Sequence, residues 1–199
     1  MWLNCYILLK LFLNWIFFSK YHINKYEVMF LNKLKLYTII GIIFTLITGT
    51  LMHFAYDCLG NNFIVGLISP VNESVWEHMK LIFFPMLFYS LFMNKQIKNK
   101  YPCVTSSLSF GILLGTLLIP AIFYSYTKIL GYNLLILDIA TFVISTLISF
   151  YSIYKFTLSC QLEKFQIPFK LIVLFFTLLF IIFSYTAPNI DIFIDPTRK

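Results

Sequence analysis

Between Leu36 and Thr186 the sequence contains five long apolar runs, and they restrict the fold more than any other feature. A run of about 20 apolar residues is long enough to cross the hydrocarbon core of a bilayer as a helix. In that medium each backbone N–H and C=O must be satisfied inside the protein, so such runs form helices. The runs are Leu36 to Tyr56, Pro70 to Met93, Cys103 to Tyr126, Leu134 to Tyr154 and Ile167 to Thr186. The expected fold is all-α, a polytopic transmembrane bundle of five spans. Trp2 to Phe18 is interrupted by Asn4, Lys10 and Asn14 and is the candidate for either an interfacial stretch or a sixth N-terminal span.

Composition agrees. Only 12% of the 199 residues are charged and 60% are hydrophobic. A soluble domain carries about 25% charged residues, so a chain this short lacks the charge to keep a soluble surface wet. The lipid bilayer is the expected surrounding. The net charge of +7 sits on loops and forms no basic stripe of the kind nucleic acid requires. Lys33, Lys35, Lys95, Lys98, Lys100, Lys155, Lys164 and Lys170 all fall on one side of the five-span arrangement, while residues 57–69 have no Lys or Arg. The positive-inside rule then places the start of the first span in the cytoplasm and the C-terminus outside. The expected location is a bacterial cytoplasmic membrane.

Residues 1–28 read as an N-terminal extension, and "M-F-L-N-K-L-K-L-Y" from Met29 reads as a basic start directly before a span. Residues 29–199 then form a single transmembrane domain. Cys5, Cys58, Cys103 and Cys160 make no C-x-x-C pair and do not gather on one side of the five-span arrangement, so neither a disulfide framework nor a zinc knuckle is expected.

The most polar stretch, "N-E-S-V-W-E-H-M-K" from Asn72 to Lys80, opens the second run from outside. His53, Tyr126 and Asp138 fall at similar depth on the first, third and fourth runs. Ionisable groups within spans cost a few kcal/mol, so they mark candidate sites. His53, Asn72, Glu73, Glu77, His78, Lys80, Tyr126 and Asp138 are therefore expected to form an outward-facing polar pocket. Its ligand, a small molecule or an ion, is unidentified. With the helix starting at Pro70 and capped by Ser69, Glu73, Glu77 and Lys80 share a face, and His78 lies about 100° from Glu77 and 140° from Glu73. One ion then takes both Glu73 and His78 only with difficulty. The candidate metal ligands are His53, Glu73, Glu77 and Asp138, but the spacing matches neither H-E-x-x-H nor the Glu-x-x-His pair of di-iron bundles. A bland alternative reads the stretch as a well-started helix, with Trp76 anchored at the membrane interface.

Ser107, Gly111 and Gly115 form a small-residue stripe suited to close helix packing within the chain. Pro85 and Pro120 lie within spans, where membrane helices tolerate them.

"H-F-A-Y-D" at His53 to Asp57, "S-P-V-N-E-S-V-W-E-H-M-K" at Ser69 to Lys80, "Y-S-Y-T-K-I-L-G" at Tyr124 to Gly131, and the tail from Tyr185 to Pro196 carry a resemblance. The chain resembles a bacterial family of small multi-pass membrane proteins whose members are known only as a domain of unknown function. That resemblance supplies no activity, substrate or cofactor. It leaves an outer-surface metal-assisted hydrolase, a small-solute transporter and a structural or assembly subunit as competing readings.

Overall fold

The structure, a computed structural model, describes residues 33–195. Trp2 to Phe18, the Met29 start, and Pro196, Arg198 and Lys199 lie outside the described residues. The described residues are helical, with no strand among them. They form α1 (Lys33–Cys58), the short α2 (Phe63–Gly66), α3 (Val75–Ile97), α4 (Val104–Leu130), α5 (Leu135–Ser159) and α6 (Gln166–Phe183), with 3₁₀ turns at Glu163–Phe165 and Asp191–Phe193.

Four helical stretches are long and apolar enough to cross a membrane: Lys33–Cys58, Val104–Leu130, Leu135–Ser159 and Glu163–Phe183. The second of the five expected spans, α3, is not among them. Polar residues occupy both of its ends, which leaves only Leu81 to Met93 free of charge. Thirteen residues at a 1.5 Å rise reach about 20 Å, against about 30 Å of hydrocarbon.

Tertiary packing accounts for this. α3 is the core helix, with most of its length buried, and it packs against α1 and α4. Met79, Ile82, Phe83, Phe84, Met86 and Met93 from α3 are each 2% exposed or less. In contrast, α5 and α6 leave large apolar side chains such as Ile136, Tyr151, Ile167 and Leu171 exposed. The polar helix is thus wrapped by apolar ones.

Small residues set the spacing. A Cβ added at Gly111 would collide with Ile153, and one at Gly115 with Ser149 and Ile82. The Ser107–Gly111–Gly115 stripe therefore packs α4 against α5 within the chain, as its spacing predicts. Buried hydroxyls along these helices, such as Thr116 and Ser149, donate to their own carbonyls one turn back, at 2.7 Å each. Gly131 ends α4 at φ 79°, a left-handed cap that glycine adopts without steric cost. Pro85 and Pro120 lie inside α3 and α4.

One expectation fails. Cys103, at the start of α4, and Cys160, after the end of α5, form a disulfide with their Cα atoms 5.3 Å apart. They are 57 residues apart in sequence. Spacing along the chain says nothing about such a pair, because the α4–α5 hairpin alone brings the two positions together. In a denatured, unreduced sample, N-ethylmaleimide should modify neither Cys103 nor Cys160, and after reduction it should modify both. Mass spectrometry of the derived peptides reads the result.

Candidate functional site

The expected polar residues do converge at one end of the bundle, but they divide into two groups with different surroundings.

The division begins at the helix start. Ser74, not Ser69, caps α3: its Oγ accepts from the Glu77 N–H at 3.3 Å. The sequence S-V-W-E, Ser74 to Glu77, has the capping-box spacing. Glu77 does not complete the box. Its Oε2 accepts from the Val71 N–H at 2.9 Å and from Lys80 Nζ at 2.6 Å. Ser69 and Pro70 are buried in the loop before the helix.

The inner group is the Glu77–Lys80 pair. The two side chains are 2% and 0% exposed. Lys80 Nζ also donates to the Gly66 carbonyl at 3.0 Å, to the Ser69 carbonyl at 3.4 Å, and to Ser184 Oγ just beyond α6. The Ser184 hydroxyl in turn donates to the Phe180 carbonyl at 2.6 Å. One ammonium thus ties together the loop before α3, α3 itself and the end of α6. Gly66 is required there, because a Cβ would collide with the Tyr185 hydroxyl and Val71. Trp76 lies nearby, 7% exposed, with its ring centroid 4.7 Å from Phe180 and 4.8 Å from Phe193. It is a core residue and not an interface anchor, because α6 and the C-terminal turn fold over it.

The outer group is His53, Glu73, His78 and Asp138. All four line one pocket of about 160 Å³ between α1, α3, α4 and α5. Asn133, just before α5, also borders it, and Leu81, Ile119, Thr141 and Phe142 contribute the remaining walls. Glu77 and Lys80 do not line it.

The capping geometry brings Glu73 and His78 together. The side-chain oxygen of Asn72 accepts from the Ser74 N–H at 2.9 Å, folding the chain at Glu73. Glu73 therefore stands before the first turn, where the helical 100° spacing does not apply. Its Oε2 lies 3.4 Å from His78 Nε2. His78 Nδ1 lies 2.9 Å from the Ser74 carbonyl. A carbonyl only accepts, so Nδ1 carries the proton and Nε2 keeps its lone pair in the neutral ring. The His53 ring centroid is 5.4 Å from that of His78, and His53 Nδ1 is buried without a hydrogen-bond partner among the described residues.

His53, Glu73 and His78 each offer a ligand atom, and these atoms lie within 4.8 Å of one another. This corrects the sequence reading, which separated Glu73 from His78. Asp138 accepts a short hydrogen bond from the Tyr126 hydroxyl, across the end of the α4–α5 hairpin. It pairs neither with Lys80 nor directly with His53. Asn72 acts through the backbone, and Tyr126 acts through Asp138.

The sequence could have disclosed His78. The S-x-x-E box fixes the helix start at Val75 and frees Glu73 from the helix face. The apolar walls have no comparable local signal.

Lys80→Met should destabilise the fold by about 3–5 kcal/mol, because Glu77 is left buried and unpaired. The double change Lys80→Met with Glu77→Leu should recover part of that loss. Thermal unfolding of the purified proteins in one detergent measures both.

No curated protein and no solved structure matches the chain. Residues 24–198 match DUF6512, a family of unknown function, and the chain belongs to that family.

Proposed function

We propose that this is an integral membrane protein whose pocket holds a divalent transition-metal ion through His53, Glu73 and His78. The observation that carries the proposal is the convergence of two imidazoles and one carboxylate, with the His78 tautomer set by the Ser74 carbonyl. Metal-bound histidines commonly donate their other ring N–H to a carbonyl or carboxylate in this way. The donor set is that of catalytic zinc sites with two His and one Glu, which leave a position open for water or substrate. Ligand atoms around zinc lie roughly 3.4 Å apart. Glu73 and His78 already stand at 3.4 Å, so any closure needed is between this pair and His53.

The chemistry this supports is metal-assisted hydrolysis. An ion held by His53, Glu73 and His78 would supply acidification of a water. The Asp138 carboxylate, which lines the same pocket, would take the proton of that water and return it to the leaving group. The walls at Leu81, Ile119 and Phe142 favour a closed site over a solute path. In this reading α3 crosses the membrane as a fifth span, shielded by the four apolar helices, and the Glu77–Lys80 pair belongs to the scaffold.

The lysine bias supports a cytoplasmic position for the Lys98 end and an outward-facing pocket. One observation favours the reverse: the Cys103–Cys160 bond lies at that same end, and disulfides persist on oxidising faces.

Two measurements test this reading. The purified protein, loaded with zinc and dialysed, should retain about one ion per chain, and His78→Ala or Glu73→Gln should lower the affinity by at least about 100-fold. Retention of zinc by both variants, or its absence from the unaltered protein, would end the metal reading. In intact cells, a cysteine placed at position 61 should react with an impermeant maleimide and one at position 98 should not. The opposite pattern places the pocket inside.

A further inference from the structure

We infer that the pocket takes an amphiphile: a metal-binding polar group joined to a short apolar chain. This deepens the metal reading above and rests on it.

The pocket changes character within a single helical turn. On α3, His78 is followed by Leu81, and on α5, Asp138 is followed by Phe142. At 1.5 Å per residue, these polar and apolar positions are separated by about 4.5–6 Å along the helices. The floor carries no ionisable group, and the Thr141 hydroxyl is already donated to the Leu137 carbonyl at 2.8 Å. A wholly polar ligand would lose its hydration against Leu81, Ile119 and Phe142 without gaining partners. A wholly apolar ligand would strip water from Glu73 and Asp138. Only a ligand with one end of each kind satisfies both.

The size follows from the volume. The pocket, polar mouth included, holds about 160 Å³, and an apolar protein cavity of about 150 Å³ accepts a molecule the size of benzene. The ligand is therefore small, and its apolar part is a short chain. The pocket opens beside the start of α5, where Leu135, which lines it, is 74% exposed. A carboxylic ester or amide, or a phosphoester, with one short apolar group fits this description.

Alkyl hydroxamates, which chelate a metal through two oxygens, provide the probe. The full-length protein in lipid nanodiscs is loaded with cobalt, and its visible spectrum is titrated with acetohydroxamate and with hexanohydroxamate. Each methylene buried in the floor should strengthen binding about fourfold. Over four methylenes the longer probe should then bind on the order of a hundredfold tighter. Ile119→Phe and Thr141→Leu fill the floor from opposite walls, and either should reduce that ratio below tenfold. The ratio is the readout, and partition of the longer chain into lipid is the same for every variant. Two variants are used so that one misfolded protein does not decide the outcome. A wild-type ratio near one, or a wild-type ratio retained by the folded variants, overturns the amphiphile inference while leaving the metal site standing. A protein that takes up no cobalt, or whose spectrum acetohydroxamate does not change, overturns the metal reading and this inference with it.

Discussion

The Glu77–Lys80 pair is the interaction on which the rest of the structure depends. A charge buried in an apolar interior is strongly unfavourable unless it is paired and its remaining hydrogen-bonding capacity is filled. Lys80 meets that demand with Glu77, two loop carbonyls and Ser184, and Glu77 meets it with Lys80 and the Val71 N–H. Every one of these partners lies outside α3 or within its first two turns. Satisfying two charges therefore pins the segment between Gly66 and Ser74 against the helix and draws the end of α6 onto it. The start of α3 at Val75 and the position of Glu73 ahead of it both follow from this.

The same demand explains the layering of the bundle. A helix carrying Glu77, His78 and Lys80 cannot face lipid, so it occupies the centre, where its apolar residues also fill the core. α5 and α6 carry no such group in their middle turns and present apolar faces outward. Close approach is permitted where small residues meet larger ones, as Gly111 and Gly115 meet Ile153 and Ser149. Hydroxyls such as Thr116 and Ser149 bond to their own helix at these contacts.

The two polar groups have distinct physical roles. The inner pair is buried, bonded to itself and to the scaffold, and does not line the pocket. The outer set is less fully engaged: His53 Nδ1 has no hydrogen-bond partner among the described residues, His78 Nε2 meets only the Glu73 carboxylate at 3.4 Å, and Glu73 stands partly in solvent. Unfilled coordinating capacity beside a cavity distinguishes a site from a lock. Members of both groups, Glu73 and His78 with Glu77 and Lys80, occur within nine consecutive residues of sequence, so composition alone does not tell them apart.

The sequence by itself determined the all-helical class and the helices near Leu36, Cys103, Leu134 and Ile167, because run length and backbone hydrogen bonding in an apolar medium are local constraints. It also determined that His53, the Asn72–Lys80 stretch, Tyr126 and Asp138 lie at one end, because antiparallel helices of similar length alternate their ends. The i,i+3 contact of Glu77 with Lys80 followed from helical spacing. Only the tertiary structure decided that α3 is the core helix, that Trp76 is buried by α6, and that Cys103 meets Cys160. Each depends on which helix lies beside which, and spacing along one chain does not encode that. The joining of Glu73 to His78 was decided in the same way. It turns on a loop held by Lys80 and on a helix start displaced by five residues from Pro70 to Val75, enough to move a carboxylate from the far side of a helix to within 3.4 Å of the imidazole.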